Sequence, residues 1–385
     1  MTSSTRVGSA LQDTRIESIS ACTISVPLAD PVSLSTRRVT ARDYTLVKVR
    51  GDDGVEGIGF CYGGSTGGRI VTAAVRELLA PVVMGQDPYV VEGLWREMYQ
   101  ESLLHGRVGS VMRAISAVDI ALWDRNARAA NLPLHKYLGA FRNDEVPAYA
   151  SGGYYRDGKT PEMLGEEMAR YADMGFGAVK IKVGRLDLGT EEKRIAKVRE
   201  AIGPNVLLML DANNAWSDLP TALRFMERVE PYDPYWIEEP FSPDDIENHA
   251  RLAERTSVAV ATGEIEAGRW RHKELLDKRA ATILQTDAAV CGGITEFRRI
   301  AAIADGYGAT LSPHWFHDLH VHLVAATPNG RFVEYFSDDS VLNFRRIIDR
   351  QLEVQRGKLR LPELPGLGFT FKEQAVAEQS QDGWK

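Results

Sequence analysis

From about Glu145 the chain settles into one repeating unit, a short apolar strand followed by a helix-length segment. Strands are read at 146–151, 178–183, 206–211, 235–238, 258–263, 283–287, 309–312 and 332–334. The stretches between them, such as 190–201 and 217–229, carry apolar residues at helical spacing. Strand–helix alternation implies a parallel sheet, because each return to the same direction needs a crossover. Eight such strands within the last two thirds of the chain point to a (β/α)8 barrel. A doubly wound sheet is the alternative, but no strand is followed by a dinucleotide-type glycine fingerprint.

The residues before this repeat have another rhythm. Segments 16–26 and 44–49 alternate apolar and polar residues, and Gly51-Asp52-Asp53-Gly54 reads as a hairpin turn. Helical patterns follow at 70–83, 90–104 and 108–130; the last aligns Val111, Ile115, Val118, Ala121 and Leu122. Strands followed by helices suggest a small α+β unit. From Phe344 the chain reads as irregular, broken by Pro362, Pro365 and Gly366, and its polar last ten residues are expected to fray.

Ionisable residues stand at or near the ends of the repeat's strands. Lys180 and Lys182 end the second, then Asp211, Glu238, Glu264, Asp287, His314 and Glu334 follow at steps of 29, 27, 26, 23, 27 and 20 residues from Lys182. Barrel active sites are built at the C-terminal strand ends, so this cadence points to one convergent polar site. Asp211, Glu238 and Glu264 come from adjacent strands. Three hard oxygen donors without sulfur or imidazole suit Mg2+. Singly, each acid reads more readily as a solvated or salt-bridged strand end than as a ligand; together, their register favours the metal.

Lys180 and Lys182 lie two apart on a strand and so share a face. Their mutual repulsion and desolvation are expected to make one amine a general base. Asp287 and His314 end neighbouring strands, where the carboxylate would fix the imidazole tautomer and provide a second acid or base. The alternative is a buried structural pair. The string from His314 to His322 holds four histidines, but its spacing matches no common zinc motif, so His317, His320 and His322 are assigned to a loop or helix. Gly63-Gly64-Ser65-Thr66-Gly67-Gly68 lacks the lysine of a phosphate loop and reads as a flexible loop or a lid.

Composition excludes other classes. The 46 Lys and Arg face 53 Asp and Glu, a net charge of −7, which disfavours a nucleic-acid partner. Three dispersed cysteines (Cys22, Cys61 and Cys291) form neither a disulfide framework nor a cysteine metal site. Residues 1–12 lack the apolar core of a secretory signal, and no apolar run is long enough to span a membrane. A cytoplasmic, homo-oligomeric protein is expected.

The strand-end motifs resemble one family. Lys180-Ile181-Lys182-Val183-Gly184, Asp211-Ala212-Asn213-Asn214-Ala215-Trp216, Trp236-Ile237-Glu238-Glu239-Pro240 and Gly263-Glu264 carry the likeness. Gln285-Thr286-Asp287, Gly292-Gly293-Ile294-Thr295-Glu296, Ser312-Pro313-His314, the segment 117–124 and the tail 364–368 extend it. The chain is similar to the mandelate racemase/muconate lactonizing subgroup of the enolase superfamily. The resemblance implies an α/β fold: a modified (β/α)7β barrel over 138–344, with an N-terminal α+β capping domain over 14–137 completed by 345–375.

It further implies Mg2+, one per site, on Asp211, Glu238 and Glu264, with Glu239 a neighbour rather than a ligand. Lys182 would be the base on one face, and His314, oriented by Asp287, the acid or base on the other. Lys180 would neutralise the substrate carboxylate, a protonated Glu334 would hydrogen-bond it, and Asn213 would contact the substrate. Loops near 30–42 and 60–68 would close over the site. That Lys or His bases with Mg2+ serve enolase-type chemistry is general knowledge of the superfamily.

The leading expectation is an acid-sugar dehydratase acting on a small hydroxylated carboxylate, an aldonate or aldarate, to give a 2-keto-3-deoxy acid. Arg37, Arg38 and Arg42, beside Ser65 and Thr66, are candidates for pairing with a distal carboxylate. A racemase or epimerase of a 2-hydroxy acid or amino-acid derivative is the alternative. A cycloisomerase, a non-catalytic binding barrel and a zinc hydrolase are more distant ones.

Overall fold

The hairpin turn at residues 51–54 closes where Gly51 N–H donates to the Val55 carbonyl and Gly54 N–H to the Gly51 carbonyl, at 3.0 and 2.9 Å. Gly54 has φ 80°, a conformation glycine adopts without penalty. This computed structural model describes residues 14–337, 339 and 341–385. The segment 1–12, read above for the absence of a secretory signal, lies outside the described residues. Strand β1 (Ile16–Ser33) pairs antiparallel with β2 (Arg38–Gly51), and β2 with β3 (Glu56–Tyr62).

The first two strands run further than the alternation predicts. Beyond Pro27 the pairing breaks and resumes at Val32 opposite Val39. Prolines at 27 and 31 interrupt the period that marks a strand, yet the hairpin continues as an arm.

Helix α2 (Ser110–Ala129) covers this sheet, and α1 (Val91–Ser102) packs against α2. A Cβ at Gly59 would stand 1.9 Å from the Ala117 carbonyl oxygen, and one at Gly57 2.2 Å from that of Ala121. Only glycine lets α2 approach β3 so closely. Buried Asp124 of α2 accepts N–H bonds from Ile58 and Leu367 and pairs with Arg128, tying sheet, helix and tail together. The predicted helix 70–83 starts at Gly68 and contains a wider π-helical stretch, Ala74–Leu79.

The strand–helix repeat forms eight parallel strands: β4 (Glu145–Ser151), β5 (Ala178–Lys182), β6 (Leu207–Asp211), β7 (Pro234–Glu238), β8 (Ala259–Thr262), β9 (Ile283–Leu284), β10 (Thr310–Leu311) and β11 (Val333–Tyr335). Ladders run in order from β4 to β10, and β11 returns to β4. Leu311 closes the ring by bonding the backbone of Asn329 and Arg331 at 3.0 and 2.8 Å. The architecture is therefore the expected α+β cap with an α/β barrel. Helices α3 (Pro161–Asp173), α4 (Leu188–Ile202), α5 (Leu219–Val229), α6 (Ile246–Ala253), α7 (Gly268–Asp277), α8 (Gly293–Gly306) and α9 (His317–Ala325) lie between strands.

Tyr149, Ala178, Met209, Trp236, Ala261 and Ile283 pack together inside the barrel. Side chains two positions along a strand share a face. Lys180, Asp211 and Glu238 therefore lie directly above Ala178, Met209 and Trp236, which is how a plain strand period lifts charge to the mouth.

The tail corrects the sequence reading. Residues 354–360, expected within the segment completing the cap, form a hairpin whose strand Lys358–Arg360 pairs antiparallel with β4. The last ten residues do not fray: a helix spans Glu373–Gln379, Thr23 N–H donates to Asp382, and Ala21 N–H donates to the Lys385 carbonyl. A polar composition misleads here because these bonds are with the distant edge of β1. Among the described residues no helix is long and apolar enough to cross a membrane.

Candidate active site

The C-terminal ends of the barrel strands bring the eight motif residues to one mouth. Lys180 and Lys182 are both buried. Lys180 Nζ lies 2.6 and 2.9 Å from the two Glu238 oxygens and 2.8 Å from Glu334 Oε1. Lys182 Nζ pairs with Asp211 Oδ2 and lies 5.0 Å from the centre of the Tyr154 ring.

The remaining oxygens are partly committed. Asp211 Oδ1 accepts Asn213 N–H at 2.9 Å, Glu238 Oε2 the Trp236 indole at 3.1 Å, and Glu334 Oε2 the Trp315 N–H at 2.8 Å. His314 Nδ1 stands 3.0 Å from Asp287 Oδ2, and its Nε2 3.5 Å from Glu264 Oε1.

The lysine expectation needs correction. Burial alone would depress both amines, but Glu238 and Glu334 outweigh it at Lys180, and Asp211 outweighs it at Lys182. Both are held above the usual range, because each ammonium has a carboxylate partner, which mutual repulsion of two lysines left out of account. The protonated Glu334 is also corrected. Burial pushes that carboxyl up, but Lys180, then His314 and Lys182, overcome it and hold it at about 2. Glu334 is a carboxylate that accepts hydrogen bonds.

His314 is pushed down by burial and up by Glu264 and the Asp287 bond; the upward shift prevails. Burial raises Glu238, with Asp211 adding to it, and raises Glu239, with Glu264 and Asp211 adding. Negative charge is thus in excess around Asp211, Glu238, Glu239 and Glu264. Glu264 Oε2 and Asn213 Oδ1 are buried without a hydrogen-bond partner. Adjacent oxygen donors, surplus negative charge and an unpartnered carboxylate oxygen fit a hard divalent cation. As they stand, among the described residues, no three such side chains already form a closed metal cluster; the two ammoniums hold the acids.

Strained backbone surrounds the mouth: Asn213, Asn214, Glu239 and Trp315 have φ of 43°, 62°, 42° and 74°. Left-handed non-glycine residues carry a cost and cluster at functional sites. Above the acids lies a cavity of about 340 Å³. Its lining includes Lys182, Asn213, Glu239, Glu264, His314 and Glu334 from the barrel side, and Arg37, Arg42, Tyr62, Gly63 and Gly64 from the cap. A second cavity of about 470 Å³ shares Tyr154 and Phe336 with it, but none of the eight motif residues lines it.

The cap arm is tied to the barrel. Ser35 Oγ donates to the Ala212 carbonyl, Thr36 Oγ1 to that of Asn213 at 3.4 Å, and Arg185 Nη1 to that of Leu34 at 2.9 Å. Arg38 is exposed and, with Ser65 and Thr66, does not line the cavity. Gly63 and Gly64 are held to Asp43 by backbone bonds of 2.7 and 2.8 Å.

Sequence reasoning missed Arg113, Tyr62, Tyr154 and Trp315, all on the cavity wall. Tyr62 and Arg113 carried no motif signal. Trp315, next to His314, was hidden within the histidine string. His317, His320 and His322 lie buried in α9 and serve structure. His320 Nε2 accepts Ala288 N–H at 3.0 Å, and His322 bridges His135 N–H and the Leu367 carbonyl.

Comparison with known proteins gives two family matches. Residues 18–139 match the mandelate racemase/muconate lactonizing enzyme N-terminal domain. Residues 163–375 match the enolase C-terminal domain-like model. The L-talarate/galactarate dehydratase of Salmonella typhimurium is 36% identical over 368 residues, covering 94% of this chain and 90% of that protein. The arabinonate dehydratase of Saccharolobus solfataricus is 34% identical over 340 residues, covering 86% and 89%. The crystal structure of an L-talarate dehydratase from a Polaromonas species, complexed with Mg and L-glucarate, superposes with a TM-score of 0.89 at 34% identity, covering 97% of this chain and 99% of that one.

Proposed function

Since the chain belongs to the mandelate racemase/muconate lactonizing enzyme family of the enolase superfamily, we infer that it is a magnesium-dependent dehydratase of a hydroxylated sugar acid. The observation that carries this reading is the pairing of Lys182 with a separate His314–Asp287 dyad on one cavity, above three adjacent carboxylates. The proton beside a carboxylate is very weakly acidic, because its removal loads charge onto an anion. The residues that would hold Mg2+ are Asp211, Glu238 and Glu264. When bound, it would offset the surplus acid charge and supply Lewis-acid stabilisation to a carboxylate oxygen.

In this reading Lys182 gives up its ion pair with Asp211 and its own extra proton before turnover, and as the free amine takes the proton from C2 of the substrate. Lys180 faces the substrate carboxylate and stabilises the charge that develops there. His314, held by Asp287, gives a proton to the hydroxyl on C3, which leaves as water. The enol that remains tautomerises to a 2-keto-3-deoxy acid. Glu334 holds Lys180 and the Trp315 backbone in place, and Asn213 turns its amide oxygen to the substrate. We assign residues 14–137 to the cap and 138–344 to the barrel.

The test is turnover of a panel of aldonates and aldarates by purified protein with Mg2+, read as keto-acid formation. Absence of product from every sugar acid would overturn the reading. Two groups suited to proton transfer on one cavity also meet the needs of a racemase. That second reading requires solvent deuterium at C2 of inverted substrate with no keto acid formed.

A further inference from the structure

Asp287 orients His314, and its own orientation depends on the chain that follows it. The backbone enters the short helix Ala288–Cys291 at this residue. Val290 and Cys291 N–H donate to the Asp287 carbonyl at 2.9 and 2.8 Å, and Ala289 N–H donates to Asp287 Oδ1 at 2.8 Å. Ala288 N–H is left over by these bonds and donates instead to His320 Nε2 at 3.0 Å. The far end of the helix is anchored separately, where Gly292 N–H donates to Ser116 Oγ at 2.9 Å. His320 therefore braces the end that carries the carboxylate.

His320 stands on α9 and is fully buried, its ring 6.2 Å from that of Phe297. An imidazole nitrogen that accepts an N–H carries no proton, so the ring proton is on Nδ1. Nδ1 has no hydrogen-bond partner among the described residues. An unpaired buried donor is a cost that leucine would not incur here, so what the imidazole supplies is the acceptor at Nε2. That nitrogen also lies 3.5 Å from Asp287 Oδ1. A proton on it would make it a donor to Asp287, drawing carboxylate charge away from His314 and leaving Ala288 N–H unpaired. Burial pushes the imidazole down to about 4 against the pull of Asp287, so the ring stays neutral.

We propose that His320 is a positioning residue for the elimination half of the reaction: by accepting Ala288 N–H it fixes the Asp287 carboxylate against His314 and leaves the charge of that carboxylate to His314. The proposal rests on the dehydratase reading, in which His314 gives a proton to the departing C3 hydroxyl. Lys182, on β5 and paired with Asp211, takes no part in these bonds. A fault at His320 should therefore reach elimination and spare abstraction of the C2 proton.

The experiment compares wild type with His320→Gln, His320→Leu and Ala288→Pro on the sugar acid that wild type turns over fastest, with Mg2+. Glutamine keeps an acceptor near the place of Nε2, and leucine keeps only the bulk. Proline removes the N–H itself, at a first helical position preceded by the extended Asp287 (ψ 116°). His320→Leu and Ala288→Pro should lower kcat for keto-acid formation about 10- to 100-fold with KM little changed. In both, the C2 proton should go on exchanging with solvent deuterium, as in His314→Asn. His320→Gln should recover most of kcat. Proton NMR reads the brace without turnover: the low-field Nδ1–H signal of His314, identified by its loss in His314→Asn, should persist in His320→Gln and vanish in His320→Leu and Ala288→Pro.

Equal loss of C2 exchange and keto-acid formation would show a purely structural role and overturn the proposal while leaving the dehydratase intact. A glutamine variant no better than leucine, or an NMR signal indifferent to these changes, would overturn it too. No keto acid from wild type on any sugar acid, with the His314 signal lost in His320→Leu and kept in His320→Gln, would remove the dehydratase and uphold the brace. If His320→Leu does not fold, Ala288→Pro decides the matter, and an unchanged kcat there overturns the proposal.

Discussion

Asp287 holds His314 with one carboxylate oxygen, 3.0 Å from Nδ1, while its other oxygen accepts the backbone N–H of Ala289 at 2.8 Å. The same side chain thus caps the short helix Ala288–Cys291 and selects the imidazole tautomer that turns Nε2 to the cavity.

Asp287→Asn keeps the shape and a capping oxygen but removes the charge. We expect kcat to fall about 10²- to 10⁴-fold, the scale of general acid–base assistance, with KM changed far less. Steady-state kinetics beside an unchanged circular-dichroism spectrum check this. A parallel loss of fold would show that Asp287 is needed for structure alone.

Lys182 and His314 are assigned to successive halves of the reaction, so their variants should separate. Lys182→Met should lose both keto-acid formation and exchange of the C2 proton with solvent deuterium. His314→Asn should lose keto-acid formation but retain exchange. Proton NMR in deuterated buffer reads both; exchange lost in His314→Asn and kept in Lys182→Met would reverse the assignment.

A cation bound only by the native carboxylates must stabilise the fold. At Mg2+ one hundred times its Kd the gain is about 2.7 kcal/mol, visible as a rise in Tm. Chelation should abolish activity and the rise together. Glu264→Gln should weaken the shift, and Glu239→Gln should retain it, since Glu239 is assigned as a neighbour. Equal losses in the two variants would make Glu239 a ligand.

Asp119 is fully buried on α2, where Thr295 donates to it from both its backbone and its hydroxyl. Burial pushes its carboxyl up to about 7, against these bonds, which lower it. A raised folded-state pKa means that the stabilisation is complete below the unfolded value, about 4, and is lost as pH rises through about 7. Urea unfolding from pH 4 to 8 should therefore show wild type losing stability relative to Asp119→Asn, by on the order of 4 kcal/mol at most. Parallel profiles would show an ordinary carboxylate at this position.

The barrel and its mouth were legible because both obey the strand period: Met209 and Asp211, or Trp236 and Glu238, need only lie two apart to place one inside and the next at the rim. Charge states were not legible, since the pairing of Lys180 with Glu238 and Glu334 spans 58 and 154 positions of chain. The cap arm was hidden by Pro27 and Pro31, which erase the alternation without ending the hairpin. Arg113 was hidden for another reason: on a helix, one arginine among apolar neighbours looks like a solvated face until the sheet beside it is known.

The tether of Ser35 and Thr36 to the carbonyls of Ala212 and Asn213 joins two parts that carry different information. Every assigned acid, base and metal ligand belongs to the barrel, whereas the arm and α2 contribute the wall above them. A lineage could therefore rewrite residues 34–42 and 113 to admit a new molecule while inheriting its proton chemistry whole. For an engineer, the same seam marks where substrate choice can be exchanged as a cassette.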